Sequence, residues 1–215
     1  MIVFGLAAMS CERPLHAAGN LPQPAADLAP PAEQENVRQT AVFAAGCFWC
    51  VEAVFEQLDG VESVESGYAG DTEEKAKYDI VSSGETKHAE AVRITYDPSK
   101  ITYGQLLRVF FATHDPTTKD RQGPDWGHQY RSAIFYENDD QKRVAEAYIR
   151  QLEEAKIFAP KPIVTTLEPL EAFYPAELYH QDFVKLHPTH PYVQQWAVPK
   201  LEKLRKTYPE QLKQE

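Results

Sequence analysis

The sequence predicts an α+β fold: a two-layer sandwich of helices on a mixed β-sheet, with a ferredoxin-like split β-α-β core and irregular C-terminal loops. Segments of period-two alternation and segments of helical spacing follow one another in the order β-α-β, β-α-β, α-β, then helices. The 215 residues, 43% of them apolar, suffice for one packed core and are too few for two full domains. No solenoid-type repeat interrupts that order.

Thr40 to Ala45 reads as a short buried strand, and Val51, Val54, Phe55 and Leu58 then recur at helical spacing until Asp59-Gly60 stops the helix. Val61 to Tyr68 alternates like a strand, and Gly70 to Lys77 is a loop rich in Gly, Asp, Glu and Lys. Ala89 to Tyr96 is a second alternating strand, closed by Asp97-Pro98. Thr102 is the expected N-cap of a helix to His114, with Leu106, Leu107, Phe110 and Phe111 on one face. Arg131 to Tyr136 is a strand, and Asn138 caps a helix reaching about Lys156. A strand at Ile163 to Leu167 and helices at Ala176 to Leu186 and Val193 to Lys206 complete the expectation. Polar aromatics and histidines gather in the less regular stretches, chiefly 68–88, 114–130 and 173–190, where sites tend to be built.

The first 37 residues differ from the rest. An apolar start gives way to Pro14, Pro22, Pro24, Pro30 and Pro31 among alanines and polar residues, a composition that buries too little apolar surface to order itself. The expected division is therefore a tail at 1–37, a catalytic domain at 38–206 and a second tail at 207–215. The start is apolar without a basic n-region, and Ala8-Met9-Ser10-Cys11 loosely resembles a lipoprotein box. Exported and cytoplasmic locations stay equally open. Cys11 reads as a lipid anchor or a bystander rather than a catalytic thiol. A net charge of −10 and the absence of a Lys/Arg-rich run before the last fifteen or so residues argue against nucleic-acid binding. No segment approaches transmembrane length.

Chemistry concentrates in Gly46-Cys47-Phe48-Trp49-Cys50, which holds two of the three cysteines. Cys47 falls where a strand turns into a helix, and there free N–H groups and the helix dipole favour an anion. More thiolate is expected on it than on a free cysteine. Residues at i and i+3 are helix neighbours, so Cys47 can attack and Cys50 can resolve the product as a disulfide. Two other readings stay open here. The pair could be buried and inert, or it could bind zinc with His88, His114 or His128 completing the four ligands a structural site needs.

Several motifs in fixed order narrow these choices. Gly-Cys-Phe-Trp after a strand is followed by Gly67-Tyr68-Ala69-Gly70, Lys87-His88-Ala89-Glu90-Ala91-Val92 and Tyr96-Asp97-Pro98. His114-Asp115-Pro116-Thr117, Asp120 to Ser132 and Phe173 to Asp182 come next. Together they resemble the A-type peptide methionine sulfoxide reductases from about Val42 to Leu204. The resemblance implies that Cys47 is the nucleophile on the sulfoxide sulfur and that Phe48 and Trp49 receive the substrate methyl group. It makes Glu90 the acid for the sulfoxide oxygen, Tyr78 and Tyr130 hydroxyl donors to that oxygen, and Asp125 a supporting polar group. Such residue types suit the task. A sulfoxide oxygen leaves only when protonated, and burial keeps a carboxylic acid neutral near pH 7.

The implied cycle uses no metal, flavin or nucleotide. Cys47 becomes a sulfenic acid, Cys50 condenses with it, and an external dithiol such as thioredoxin reduces the disulfide. The S epimer of methionine sulfoxide, free or in proteins, is the implied substrate, oxidative-stress repair the implied role, and a monomer the expected state. The sequence differs from the family in having Cys50 where many members have Gly and no cysteine after it. It also lacks the usual Asn-Pro pattern before Tyr78, and Lys87 replaces a usual Gly. A general thiol-disulfide oxidoreductase using the same two cysteines is the alternative enzyme; a structural or metal-binding pair is the non-enzymatic one.

Overall fold

The computed structural model describes residues 20–28 and 37–214. Six strands form the main sheet: β1 (Gln39–Ala45), β2 (Val61–Ala69), β3 (Ala89–Tyr96), β6 (Ser132–Tyr136), β7 (Thr166–Pro169) and β8 (Phe173–Pro175). Their spatial order is β7-β6-β1-β3-β2-β8. Only β6 and β7 are parallel, so the sheet is mixed. The central four strands, β6-β1-β3-β2, have the split β-α-β order, and the predicted fold class holds.

The sequence explains each layer. Along β1, Ala41, Phe43 and Ala45 face the helices, while Val42 and Ala44 face a second, smaller cluster with Ala69, Ala89, Ala91, Ala133 and Phe135. Both faces are covered, so β1 reads as an unbroken apolar run. On the first face pack α1 (Phe48–Phe55), α3 (Tyr103–Thr113), α4 (Asp139–Glu154) and α6 (Val198–Thr207). Thr102 caps α3 as expected, in a full capping box with Gln105, and the Asn138 side chain caps α4.

Several expectations need correction. The helix expected over Ala176 to Leu186 is a 3-10 turn at Leu178–His180 followed by the short α5 (Phe183–Leu186). Asp182 between them has φ +53, and Gln181 spends its side chain on the backbone of Ser66 and Ala176, so the helix cannot run through. The helix expected over Val193 to Lys206 opens as a π turn at Val193–Ala197 before α6; Pro199 has no N–H to continue a regular ladder there. The strand expected at Ile163 to Leu167 pairs over Thr166–Pro169 instead, and the Val164 N–H donates to the Pro116 carbonyl. Four elements carried no sequence signal: α2 (Tyr78–Ser82), β4 (Arg121–Gln122) and β5 (Asp125–Trp126) of one hairpin, and β8.

Both expected tails are partly docked. Residues 20–28 lie against the domain: Leu21 is buried, its N–H donates to the Tyr208 hydroxyl at 3.0 Å, and its carbonyl accepts from Arg108 Nε at 2.8 Å. The Tyr148 hydroxyl donates to the Pro22 carbonyl, and Asp27 accepts from Thr102 and the Gly104 N–H at the start of α3. Hydrogen bonds between the strap's backbone and side chains of the domain, together with the burial of Leu21, order this proline-rich strap. At the other end Tyr208 is buried, and the Asp59 N–H and Lys213 N–H exchange bonds with Gln211 and Gln57. Residues 1–19, with Cys11, lie outside the described residues. Among the described residues no helix is long and apolar enough to cross a membrane.

Candidate active site

β1 ends at Ala45, and Gly46, with a φ of +88, turns the chain into α1. A Cβ there would meet Gln122 Cβ at 2.5 Å, so the turn admits only glycine at this spacing. Cys47 is the N-cap residue and is half-buried; Cys50, one turn on, is 2% exposed. Both cysteines are free thiols in hydrogen-bond contact with one another.

Glu90 comes from β3, on the same face as Val92 and Ile94. Its Oε2 accepts the Phe48 N–H at 3.0 Å, so a buried carboxyl group closes the start of α1 right beside Cys47. Burial raises its pKa to about 8, against the pull of that one hydrogen bond, and Asp125 adds to the rise. Tyr78, Tyr130 and Asp125 converge on the same place. Each tyrosine is pushed up first by burial and then by the charge of Glu90, with Cys47 and Asp125 also near. Asp125 is itself raised by burial, while Tyr192 and Lys200 oppose the rise.

The expectation for the Cys47 thiolate needs correction. Burial pushes the Cys47 thiol well up, as do the hydrogen bond to Cys50 and the charge of Glu90. Cys50 is pushed down, chiefly by the hydrogen bond it receives from Cys47 and further by Lys200. The helix start does not outweigh desolvation. Of the two thiols, Cys50 is the one whose surroundings favour the ionised form.

The two aromatics of the motif have different surroundings. Phe48 is 1% exposed, its ring 5.9 Å from Tyr68 and 5.0 Å from His180. Trp49 is half-buried, stacks on Phe183 at 3.6 Å and meets Tyr192 edge-on at 5.8 Å. Its indole N–H donates to His180 Nδ1 at 3.0 Å. A neutral His180 must then carry its proton on Nε2, and burial lowers its pKa, which keeps it neutral. Glu177 ties this wall together, accepting from the Tyr68 hydroxyl at 2.9 Å and the Tyr78 N–H at 3.0 Å.

The eight residues singled out in the sequence, Cys47, Phe48, Trp49, Cys50, Tyr78, Glu90, Asp125 and Tyr130, thus gather around the start of α1. Tyr192, His180, Phe183 and Glu177 join them without having been singled out. The Tyr192 hydroxyl donates to Asp125 Oδ2 at 2.6 Å and lies close to both cysteines; no local pattern marks a residue so far along the chain from its partners. His88 and His114 serve structure instead. His88 Nε2 pairs with the Thr72 carbonyl, and His114 pairs with the Phe110 carbonyl and the Ser132 hydroxyl. Among the described residues no group of three or more His, Cys, Asp or Glu side chains could hold a metal ion.

A split β-α-β sandwich carrying paired thiols, a buried acid and clustered aromatic rings is the setting of an oxidoreductase. The family model for peptide methionine sulfoxide reductase matches residues 39–212. The peptide methionine sulfoxide reductase MsrA 2 of Mesorhizobium japonicum is 54% identical over 172 residues, 80% of this chain and 88% of that protein. The MsrA 2 of Synechocystis is 50% identical over 90% of each chain. Among solved structures, reduced Mxr1 of Saccharomyces cerevisiae superposes with a TM-score of 0.66 at 35% identity, covering 74% of this chain and 91% of that one. Methionine sulfoxide reductase A of Corynebacterium diphtheriae gives 0.61 at 31%, covering 74% and 78%. The chain belongs to the peptide methionine sulfoxide reductase family.

Proposed function

We propose that the chain reduces the S epimer of methionine sulfoxide, free or within polypeptides, with Cys47 as nucleophile, Glu90 as acid and Cys50 as the resolving thiol. The observation that carries this reading is the buried Glu90 carboxyl, which accepts the Phe48 N–H at 3.0 Å beside Cys47, Tyr78 and Tyr130, and whose pKa burial raises to about 8. The Cys47 sulfur attacks the sulfoxide sulfur and passes its proton to Cys50 along their hydrogen bond. Glu90 gives its proton to the oxygen, whose developing charge the two phenols stabilise. Methionine leaves, and the oxygen remains on Cys47 as a sulfenic acid. Phe48 and Trp49 form the wall for the methyl group, and Asp125 with Tyr192 holds the pair in line.

Cys50 then attacks Cys47, water leaves, and a disulfide forms. An external dithiol such as thioredoxin supplies the two electrons for the return, and the cycle uses no metal, flavin or nucleotide. Cys50 lies beneath Val193 and Ala197, whereas Cys47 is half-exposed. The reductant therefore meets Cys47, and Cys50, with its lowered pKa, leaves as thiolate. The acting unit is a monomer.

Mass spectrometry after one equivalent of substrate tests the scheme. Wild type should carry a Cys47–Cys50 disulfide, and Cys50→Ser should release about one methionine per enzyme and stop at a Cys47 sulfenic acid. Cys47→Ser should release none. Sustained thioredoxin-dependent turnover by Cys50→Ser would show that another thiol resolves. Reduction of insulin disulfides unaffected by Glu90→Gln would favour a general thiol-disulfide oxidoreductase.

A further inference from the structure

Val193 and Ala197 of the π turn are buried against Cys50, with Tyr192, Trp196 and Val198 packed beside them. Lys200 follows two residues later, on α6. Its placing is set by its neighbours one turn on: Leu204 is buried in the main core, and Lys203 Nζ donates to the Ala112 carbonyl near the end of α3 at 2.7 Å. Residues at i, i+3 and i+4 share a helix face, so Lys200 begins the face that α6 turns toward α1 and α3. It is partly buried, and among the described residues no carboxylate stands within ion-pair distance of it. Lysines drawn out of water are ordinarily paired.

Groups on three other elements feel this charge. Cys50 on α1 is pulled down by the hydrogen bond from Cys47 and then, against burial, by Lys200. Asp125 on the β4–β5 hairpin is raised by burial, with Tyr192 and Lys200 opposing. His114, just past α3, is lowered by burial and further by Lys200. The ammonium therefore lies where α1, the hairpin and the end of α3 meet. Of the groups that act on Cys50, Cys47, Asp125 and Tyr192 are neutral or negative and Lys200 is positive; Glu90 faces Cys50 from β3, with a like charge when ionised.

We propose that Lys200 is a positioning residue for the second half of the cycle, its unpaired ammonium holding the charge of the Cys50 thiolate that closes the disulfide and is released when the disulfide opens. The inference rests on the reading of Cys50 as the resolving thiol and adds the group that acts on it. In closing, the Cys50 sulfur attacks the Cys47 sulfur, the S–O bond of the sulfenic acid breaks, and the hydroxide leaves as water with the proton that Cys50 gave up. In opening, a thiolate of the external dithiol attacks Cys47, and Cys50 takes the electron pair of the broken S–S bond. The second thiol of the dithiol then frees Cys47, and the dithiol ends oxidised. Charge rests on the Cys50 sulfur at the start of one step and the end of the other.

Two measurements on the full-length chain test this. The first follows the ultraviolet absorbance of the Cys50 thiolate against pH in a Cys11→Ser, Cys47→Ser background, where no other cysteine titrates. Lys200→Gln should move the titration to higher pH by about one unit, and Lys200→Arg should leave it in place. The second is rapid-quench mass spectrometry after one equivalent of methionine S-sulfoxide. Below the titration, a tenfold smaller thiolate fraction is partly offset by the greater nucleophilicity of a more basic thiolate. Lys200→Gln should therefore form the disulfide about threefold more slowly, Lys200→Arg should restore the rate, and the gap should close as pH rises past the titration. An unmoved titration, a slowing that Arg does not restore, or a gap that persists at alkaline pH overturns the proposal while leaving Cys50 as the resolving thiol. Wild type that forms no Cys47–Cys50 disulfide would instead sink the underlying reading of Cys50.

Discussion

Glu90 shows most directly how one side chain's surroundings set its chemistry. It sits on a central strand, 2% exposed, with a single hydrogen bond from the Phe48 N–H, and burial raises its pKa to about 8. Glu90→Gln keeps the shape and removes the transferable proton. The expected loss is about 100-fold or more in the rate of methionine release, together with the decline in rate that wild type should show as pH rises through about 8. A variant that keeps this decline would place the titration elsewhere. His180 works at one remove, as a positioning residue that accepts the Trp49 indole N–H. His180→Asn preserves an acceptor near Nδ1, whereas His180→Leu leaves the indole N–H unpaired. Leu should raise KM by about fivefold and shift Trp49 fluorescence, and Asn should restore both. Glu90 was legible because a recognisable motif surrounds it; His180 and Tyr192 were not, because their roles exist only once the C-terminal third wraps over α1.

The same distinction separates the elements that could be foreseen from those that could not. β1, β3 and α3 carry their own instructions: alternation, helical spacing and a capping box between Thr102 and Gln105. β8 is three residues long and exists because Gly67 lets Phe173 and Tyr174 approach β2; a Cβ at Gly67 would meet the Phe173 ring and the Tyr174 carbonyl at 2.4 Å. Residues 176–186 have helical spacing, yet Gln181 and Glu177 are committed to β2 and Tyr78, and those bonds break the helix. The strap at 20–28 is the clearest miss, since its composition resembles a linker and its order comes from Arg108, Tyr148, Gln151 and Tyr208 far along the chain. Leu21→Ala should cost about 2–3 kcal/mol in denaturant unfolding, as other buried leucines do. Activity per folded molecule should stay at the wild-type level, because none of the strap's partners borders the Cys47 pocket. Unchanged stability would mean that the strap contributes nothing to the fold.

The molecule as a whole keeps two protons that its unfolded chain would release. Glu90, buried beside the motif helix, and Glu52, buried on it, are raised by burial from 4.5 to about 8 and about 7. Above 4.5 the unfolded chain has lost these protons and the folded one still holds them, so stability must fall as pH rises toward the folded values. His114 acts with the opposite sign. Burial lowers it from 6.5 to about 4, so the unfolded state binds the extra proton below 6.5 and stability falls as pH drops through that window. Lys203, lowered by burial from 10.5 to about 8, costs stability until pH climbs above 8. Between pH 6.5 and 8 the two carboxyls together should lower the unfolding free energy by about 2 kcal/mol, a fall that the lowered Cys50 thiol opposes. Denaturant unfolding at closely spaced pH values would measure it, and a rise over the interval would contradict the protonated state of the buried acids. The two acids can be told apart. Glu52→Gln should flatten the lower part of the stability decline and leave the alkaline fall in activity intact, whereas Glu90→Gln should remove both the upper part of the decline and the activity itself. In the proposed reaction the proton held at Glu90 is the one given to the sulfoxide oxygen, so activity and stability should decline together on the alkaline side.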